Sequence, residues 1–135
     1  MDQDDPCILN LLRGQYLHPP SKNKLSLEAP EVNNPSMGQA QSILEILKNK
    51  VMHHIKAIIH SYCLIVYCFQ QENGFFVECG ALDGELRSNT LFMERTLGWE
   101  GVLIEADPKN FLKVQEKNRR AWTVPACLST SSSPK

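Results

Sequence analysis

A chain of 135 residues has room for one small domain. Hydrophobic residues at 42% and charged residues at 21% are the proportions of an ordinary globular protein, which excludes a fibrous or low-complexity chain. A formal net charge of −1 gives no electrostatic basis for binding nucleic acid or an anionic membrane surface.

Asp2, Asp4 and Asp5 open the chain where a secretory leader would carry basic and then apolar residues, so no signal peptide is expected. Residues 1–35 read as an extended N-terminal arm, with one helical turn near Leu9. Pro19, Pro20, Pro30 and Pro35 forbid a long helix there. A helical segment follows over 36–72. Ser36 is its expected N-cap, with Gln39 as capping-box partner, and Ile43, Leu44, Ile46 and Leu47 keep helical spacing. The same face continues through Val51, Ile55, Ile58, Tyr62, Ile65 and Phe69. One helix reaching Phe69 is therefore possible, but Leu64 to Tyr67 is equally β-prone. Ala57 to Phe69 falls short of the roughly 20 apolar residues that a membrane span requires.

From Gly74 the texture changes. Phe75 to Val77 is a short apolar run, followed by a helix predicted over Ser88–Leu97 and stopped by Gly98. Val102 to Ile104 forms a second apolar run. Asp107-Pro108 then starts a second helix, with Asp as cap and Pro in the first helical position. Phe111, Leu112 and Val114 give that helix its apolar face, while Lys117, Arg119 and Arg120 sit near its negative end. Trp122–Leu128 is the third predicted strand, and residues 129–135 are a disordered tail. The order β-α-β-α-β over 73–128 implies an α/β fold with a parallel sheet. Three strands leave an open edge, so low stability is expected.

The string Glu78-Cys79-Gly80-Ala81-Leu82-Asp83-Gly84 reads E-x-G-x-x-x-G, unlike the G-x-G-x-x-G of dinucleotide binders. A pyrophosphate calls for a tight glycine turn at a helix N-terminus. S-adenosylmethionine instead presents an amino acid end, a sulfonium and an adenosine. Gly80 would let backbone pass close to such a ligand, and Glu78 would face its cationic groups. Asp83 and Gly84 would shape the loop. Glu105 ends the next strand, where a carboxylate can accept from both ribose hydroxyls. Plainer structural roles are expected elsewhere. Asp107 is a cap, Cys79 a small filler, and the five cysteines are free and mostly buried. Glu94-Arg95-Thr96 is the wet face of a helix. His53, His54 and His60 lack a third ligand, so no metal site is expected.

The stretch Gly74 to Phe111, with its ECGALDGE, SNT, GW and IEADP blocks, resembles the FkbM-type methyltransferase domain, most closely its Star-like branch. Tyr16 to Ser21 and Ser36 to Gln39 share the Star-like pattern. The resemblance implies a partial Rossmann-like S-adenosylmethionine-dependent O-methyltransferase fold. Its cofactor-binding set would be Glu78, Gly80, Ala81, Asp83, Gly84, Asn89 and Glu105, with no catalytic residue assigned. It equally implies an alternative. Star-like proteins are non-catalytic factors that assist export of epidermal-growth-factor-type ligands through the endoplasmic reticulum, Golgi and endosomes, with a growth-factor precursor as partner. Two departures from the family pattern stand out. Val51 to Glu72 is an atypical insert, readable as translated intron sequence. The strands that carry acceptor-binding and catalytic groups in the family are not found after Leu128, so the chain is expected to be inactive as an enzyme.

Overall fold

A computed structural model describes residues 5–46 and 73–128. Along the chain come α1 (Pro6–Leu11), α2 (39–46), β1 (Phe75–Cys79), α3 (Leu91–Leu97), β2 (Glu100–Ile104), α4 (Pro108–Glu116) and β3 (Trp122–Val124). The three strands form one parallel sheet in the order β1-β2-β3, so the described chain is mixed α/β.

Strand alternation divides the sheet into two unlike faces. Phe76 and Glu78 of β1 are buried on the inner face, beside Gly101 and Leu103 of β2 and Thr123 of β3. Phe75, Val77, Cys79 and Trp122 face outward and are exposed. Position 101 must be glycine, because a Cβ there would stand 2.2 Å from the Phe76 ring. Phe76, Leu103, Met93, Trp99, Val114 and Ala121 form the core, joined by Ala40 from α2. Each large apolar side chain buried in this way stabilises the fold by about 1.5–3 kcal/mol.

The elements start and stop for local reasons. Asp107 Oδ1 accepts from the Asn110 amide at 2.9 Å, and Pro108 opens α4. Asp5 and Pro6 repeat that device: Asp5 Oδ1 accepts from the Cys7 amide at 2.8 Å, and α1 runs on through a π-helical stretch, Leu12–Tyr16. This is more helix than the single turn expected near Leu9. The start of α3 is Leu91 rather than Ser88, because the Ser88 and Thr90 hydroxyls turn toward Glu78. Gly98 ends α3 in the left-handed region at φ 65°. β3 stops at Val124 rather than Leu128, since Pro125 has no N–H to continue the ladder.

Ser36 is not the N-cap, since α2 begins at residue 39, but its Oγ accepts from the Ala40 amide at 3.0 Å and its carbonyl from the Gln39 amide at 3.2 Å; the Gln39 side chain is not the acceptor of the Ser36 amide. The Ser36 amide donates to Asn34 Oδ1 at 3.1 Å instead. Met37 at φ 54° and Gly38 at φ 94° make the turn that delays the helix to residue 39. The insert 51–72, the three central histidines, the alternatives at Leu64 to Tyr67 and the tail 129–135 lie outside the described residues. Among the described residues, no helix is long and apolar enough to cross a membrane.

The arm from Leu17 onward lies against the domain. His18 and Thr123 exchange backbone hydrogen bonds at 2.9 and 3.0 Å in an antiparallel bridge, so the outer edge of β3 is paired at that point. The His18 ring packs 5.5 Å from that of Phe111. Ser21 and Ser26 then donate their amides to the carbonyls of Arg119 and Lys117. Among the described residues the expectation of buried thiols is corrected: Cys7, Cys79 and Cys127 are free and exposed, while Cys63 and Cys68 lie outside those residues. Cys79 is no filler, because its odd place in β1 turns it to the outer face.

Candidate functional site

The carboxyl edge of the sheet is organised by two buried carboxylates. Glu78 is the penultimate residue of β1, and Glu105 immediately follows β2. Glu78 lies level with Leu103, two residues before Glu105, so both acids belong to the same face of neighbouring parallel strands. Neither is a solvated strand end, each being less than a tenth exposed. Glu78 Oε1 accepts from the Asn89 amide at 2.7 Å, and its Oε2 from the hydroxyls of Ser88 at 2.8 Å and Thr90 at 2.6 Å. Glu105 Oε2 accepts from the Leu82 amide at 2.7 Å, and Oε1 from the Asp107 amide at 2.9 Å. With two lone pairs per oxygen, Glu78 retains one acceptor direction and Glu105 retains two.

The loop between these acids is held in costly conformations. Leu82 and Arg87 both sit at positive φ, 55° and 59°, where a bulky side chain is disfavoured. The Glu105 bond to the Leu82 amide helps to hold that shape. Gly80, at φ 70°, faces open space, with nothing within 4 Å of where a Cβ would stand. Gly84, at φ 82°, approaches α4 so closely that a Cβ would lie 3.4 Å from the Val114 backbone. Asp83 Oδ1 accepts from the Glu85 and Leu86 amides and therefore builds the turn. Ala81 is buried in the core. Asn89 contributes its amide to Glu78, yet its Oδ1 is buried with no hydrogen-bond partner.

The structure also contains charged groups that local sequence signals do not reveal. Glu94, expected on a wet helix face, is buried and pairs with buried Arg119 at 2.7 Å. Arg119 further donates to the Gly84 carbonyl and to Thr90 Oγ1. Lys117 is likewise buried rather than a solvated partner of the helix dipole, lying 2.8 Å from both Glu85 and Glu28. Arg95 and Thr96 are exposed as expected, and they hold the arm at Pro30, Val32 and Asn33.

Burial pushes the Glu85 carboxyl up, but the Lys117 ammonium and the amides of residues 28 and 29 outweigh it and hold the carboxyl below its ordinary value. Burial likewise pushes Lys117 down, and Glu28 and Glu85 outweigh it and hold the ammonium above its ordinary value. The stability from Glu85 is complete above its unfolded-state pKa and is lost as pH falls through the lower folded value. That loss lies below the ordinary glutamic acid range, about pH 4.3. The stability from Lys117 is complete below its unfolded-state pKa and is lost only as pH rises through the higher folded value. Thermal melts are therefore expected to show a steep acid limb below about pH 4.3 that Glu85→Gln flattens. An acid limb identical in wild type and variant would contradict this assignment.

No family model, curated protein or solved structure matches this chain.

Proposed function

We propose that the carboxyl edge of this sheet binds S-adenosylmethionine, as the cofactor region of a Rossmann-like, FkbM-type O-methyltransferase domain. The observation that carries this reading is Asn89 Oδ1, a buried acceptor without a donor, on the residue whose backbone amide binds the Glu78 carboxylate. A buried polar atom left in that state costs about 1–3 kcal/mol, which a ligand donor relieves. The cofactor's ammonium is such a donor. Asn89 and the remaining acceptor direction of Glu78 would hold it, and the open space over Gly80 would admit the backbone-close part of the ligand. The two remaining acceptor directions of Glu105 suit a ribose diol. Asp83 and Gly84 shape the loop, and Ala81 supports it from the core.

When bound, the cofactor supplies an electrophilic methyl group. The residues of this chain contribute orientation, which is where proximity-based catalysis originates. Calorimetric titration of the folded chain with S-adenosylmethionine is expected to show saturable binding, weakened about tenfold by Asn89→Ala, as for a hydrogen bond to a charged group. No heat at excess cofactor, with folding verified by circular dichroism, would end this reading.

A second reading is favoured by the five chain donors already spent on Glu78 and Glu105, which make both acids loop organisers. On that reading the same fold serves as a non-catalytic, Star-like factor in export of epidermal-growth-factor-type ligands. Capture of such a precursor by a folded chain that is silent to the cofactor would favour it.

A further inference from the structure

Glu85 stands where the loop at the sheet edge meets the N-terminal arm. Its side chain is buried, with Oε1 accepting from the Ala29 amide at 2.7 Å and Oε2 from the Glu28 amide at 2.8 Å. Two consecutive arm amides thus close on one carboxylate. Lys117 Nζ, 2.8 Å from Oε2, neutralises that charge and reaches the Glu28 carboxylate at the same distance. The loop is fixed elsewhere by the chain's own groups. Glu105 takes the Leu82 amide, Asp83 takes the Glu85 and Leu86 amides, and Arg119 donates to the Gly84 carbonyl. The strained backbone at Leu82 and Arg87 therefore lies on either side of the residue that holds the arm.

We propose that Glu85 is a positioning residue that couples docking of arm residues 26–32 to the shape of loop 80–87, so that arm and loop become ordered together. The step to a ligand rests on the cofactor reading above: S-adenosylmethionine at the loop tightens the arm, and the docked arm strengthens cofactor binding by the same factor. A carboxylate that accepts two arm amides from within the loop transmits order in both directions, because neither amide is satisfied if the loop opens.

The test uses the full chain. Lys22 and Lys24 are exposed trypsin sites on the arm, and deuterium exchange at the Leu82 and Leu86 amides reports on the loop. Glu85→Gln is expected to speed both arm cleavage and loop exchange tenfold or more. Glu28→Gln, altering a side chain that is 84% exposed, should stay within about twofold of wild type. Ala29→Pro removes one arm donor and sets the proline Cδ against Glu85 Oε1, so it displaces the arm while leaving Glu85 itself and the core residues unaltered, and should also raise loop exchange. Excess S-adenosylmethionine should slow arm cleavage in wild type and not in Glu85→Gln, a difference that a purely structural contact would not produce. Arm release by either variant with loop exchange unchanged would overturn the coupling. Cofactor binding that leaves wild-type arm cleavage unaltered would overturn it as well. If the cofactor fails to bind while both variants still move arm and loop together, the coupling stands and the cofactor reading falls.

Discussion

Arg119→Leu is expected to destabilise the chain by about 3–5 kcal/mol, because it strands the buried Glu94 carboxylate without its counter-charge. The same change removes the donor to the Gly84 carbonyl and one donor to Thr90 Oγ1. Small domains have total stabilities of about 5–15 kcal/mol, so this single variant sits close to unfolding. Adding Glu94→Leu should restore much of the loss, since two apolar side chains substitute for a buried pair at little net cost. The recovery will be partial, because the Gly84 carbonyl still lacks a partner and the Arg120 amide loses Glu94 Oε1 as its acceptor. Urea unfolding of wild type, both single variants and the double variant closes the cycle. A single-variant loss below 1 kcal/mol would show that the pair is not buried in solution.

The second large effect is expected at Glu78. Glu78→Ala deprives the Asn89 amide and two hydroxyls of their acceptor, and should destabilise the fold by about 2–3 kcal/mol. Hydroxyls can turn to other acceptors, whereas a backbone N–H cannot, so the Asn89 amide carries most of the loss. Glu78→Gln should be far milder. Its carbonyl oxygen can keep the Asn89 amide while its NH₂ faces the Thr90 hydroxyl, which accepts only from Arg119 and has a lone pair to spare, whereas Ser88 Oγ already accepts from the Thr90 and Leu91 amides. Equal destabilisation by alanine and glutamine would mean that charge, rather than acceptor geometry, matters at this position. Amide exchange at Asn89 distinguishes the two cases directly.

The order of strands and helices from Gly74 onward could be read from the residues because its signals are local. Asp107-Pro108 starts a helix and Gly98 ends one wherever they occur, and short apolar runs ending in Glu78 and Glu105 mark adjacent parallel strands. The ion pairs were illegible for the opposite reason. Glu94 and Arg119 are 25 residues apart, and Glu85 and Lys117 are 32 apart, so neither residue betrays its partner in its own neighbourhood. A charged residue on a short helix reads as solvated until packing shows otherwise. Two misreadings had usable signals. Asp5-Pro6 carries the same helix start as Asp107-Pro108. The outward direction of Cys79 follows from alternation once Phe76 and Glu78 point inward. The double use of Glu78 and Glu105, as loop organisers with acceptor directions to spare, depends on which amides the loop brings to them. No spacing rule supplies that.

The antiparallel contact between His18 and Thr123 gives the sheet a polarity of growth. A foreign strand seeking backbone partners meets an occupied border at Thr123. Among the described residues, the flank of β1 is the border left for accretion, and the uncharged side chains Phe75 and Val77 lie alongside it. Among the described residues, self-association would therefore start along that flank, and Val77→Lys would act there as a gatekeeper.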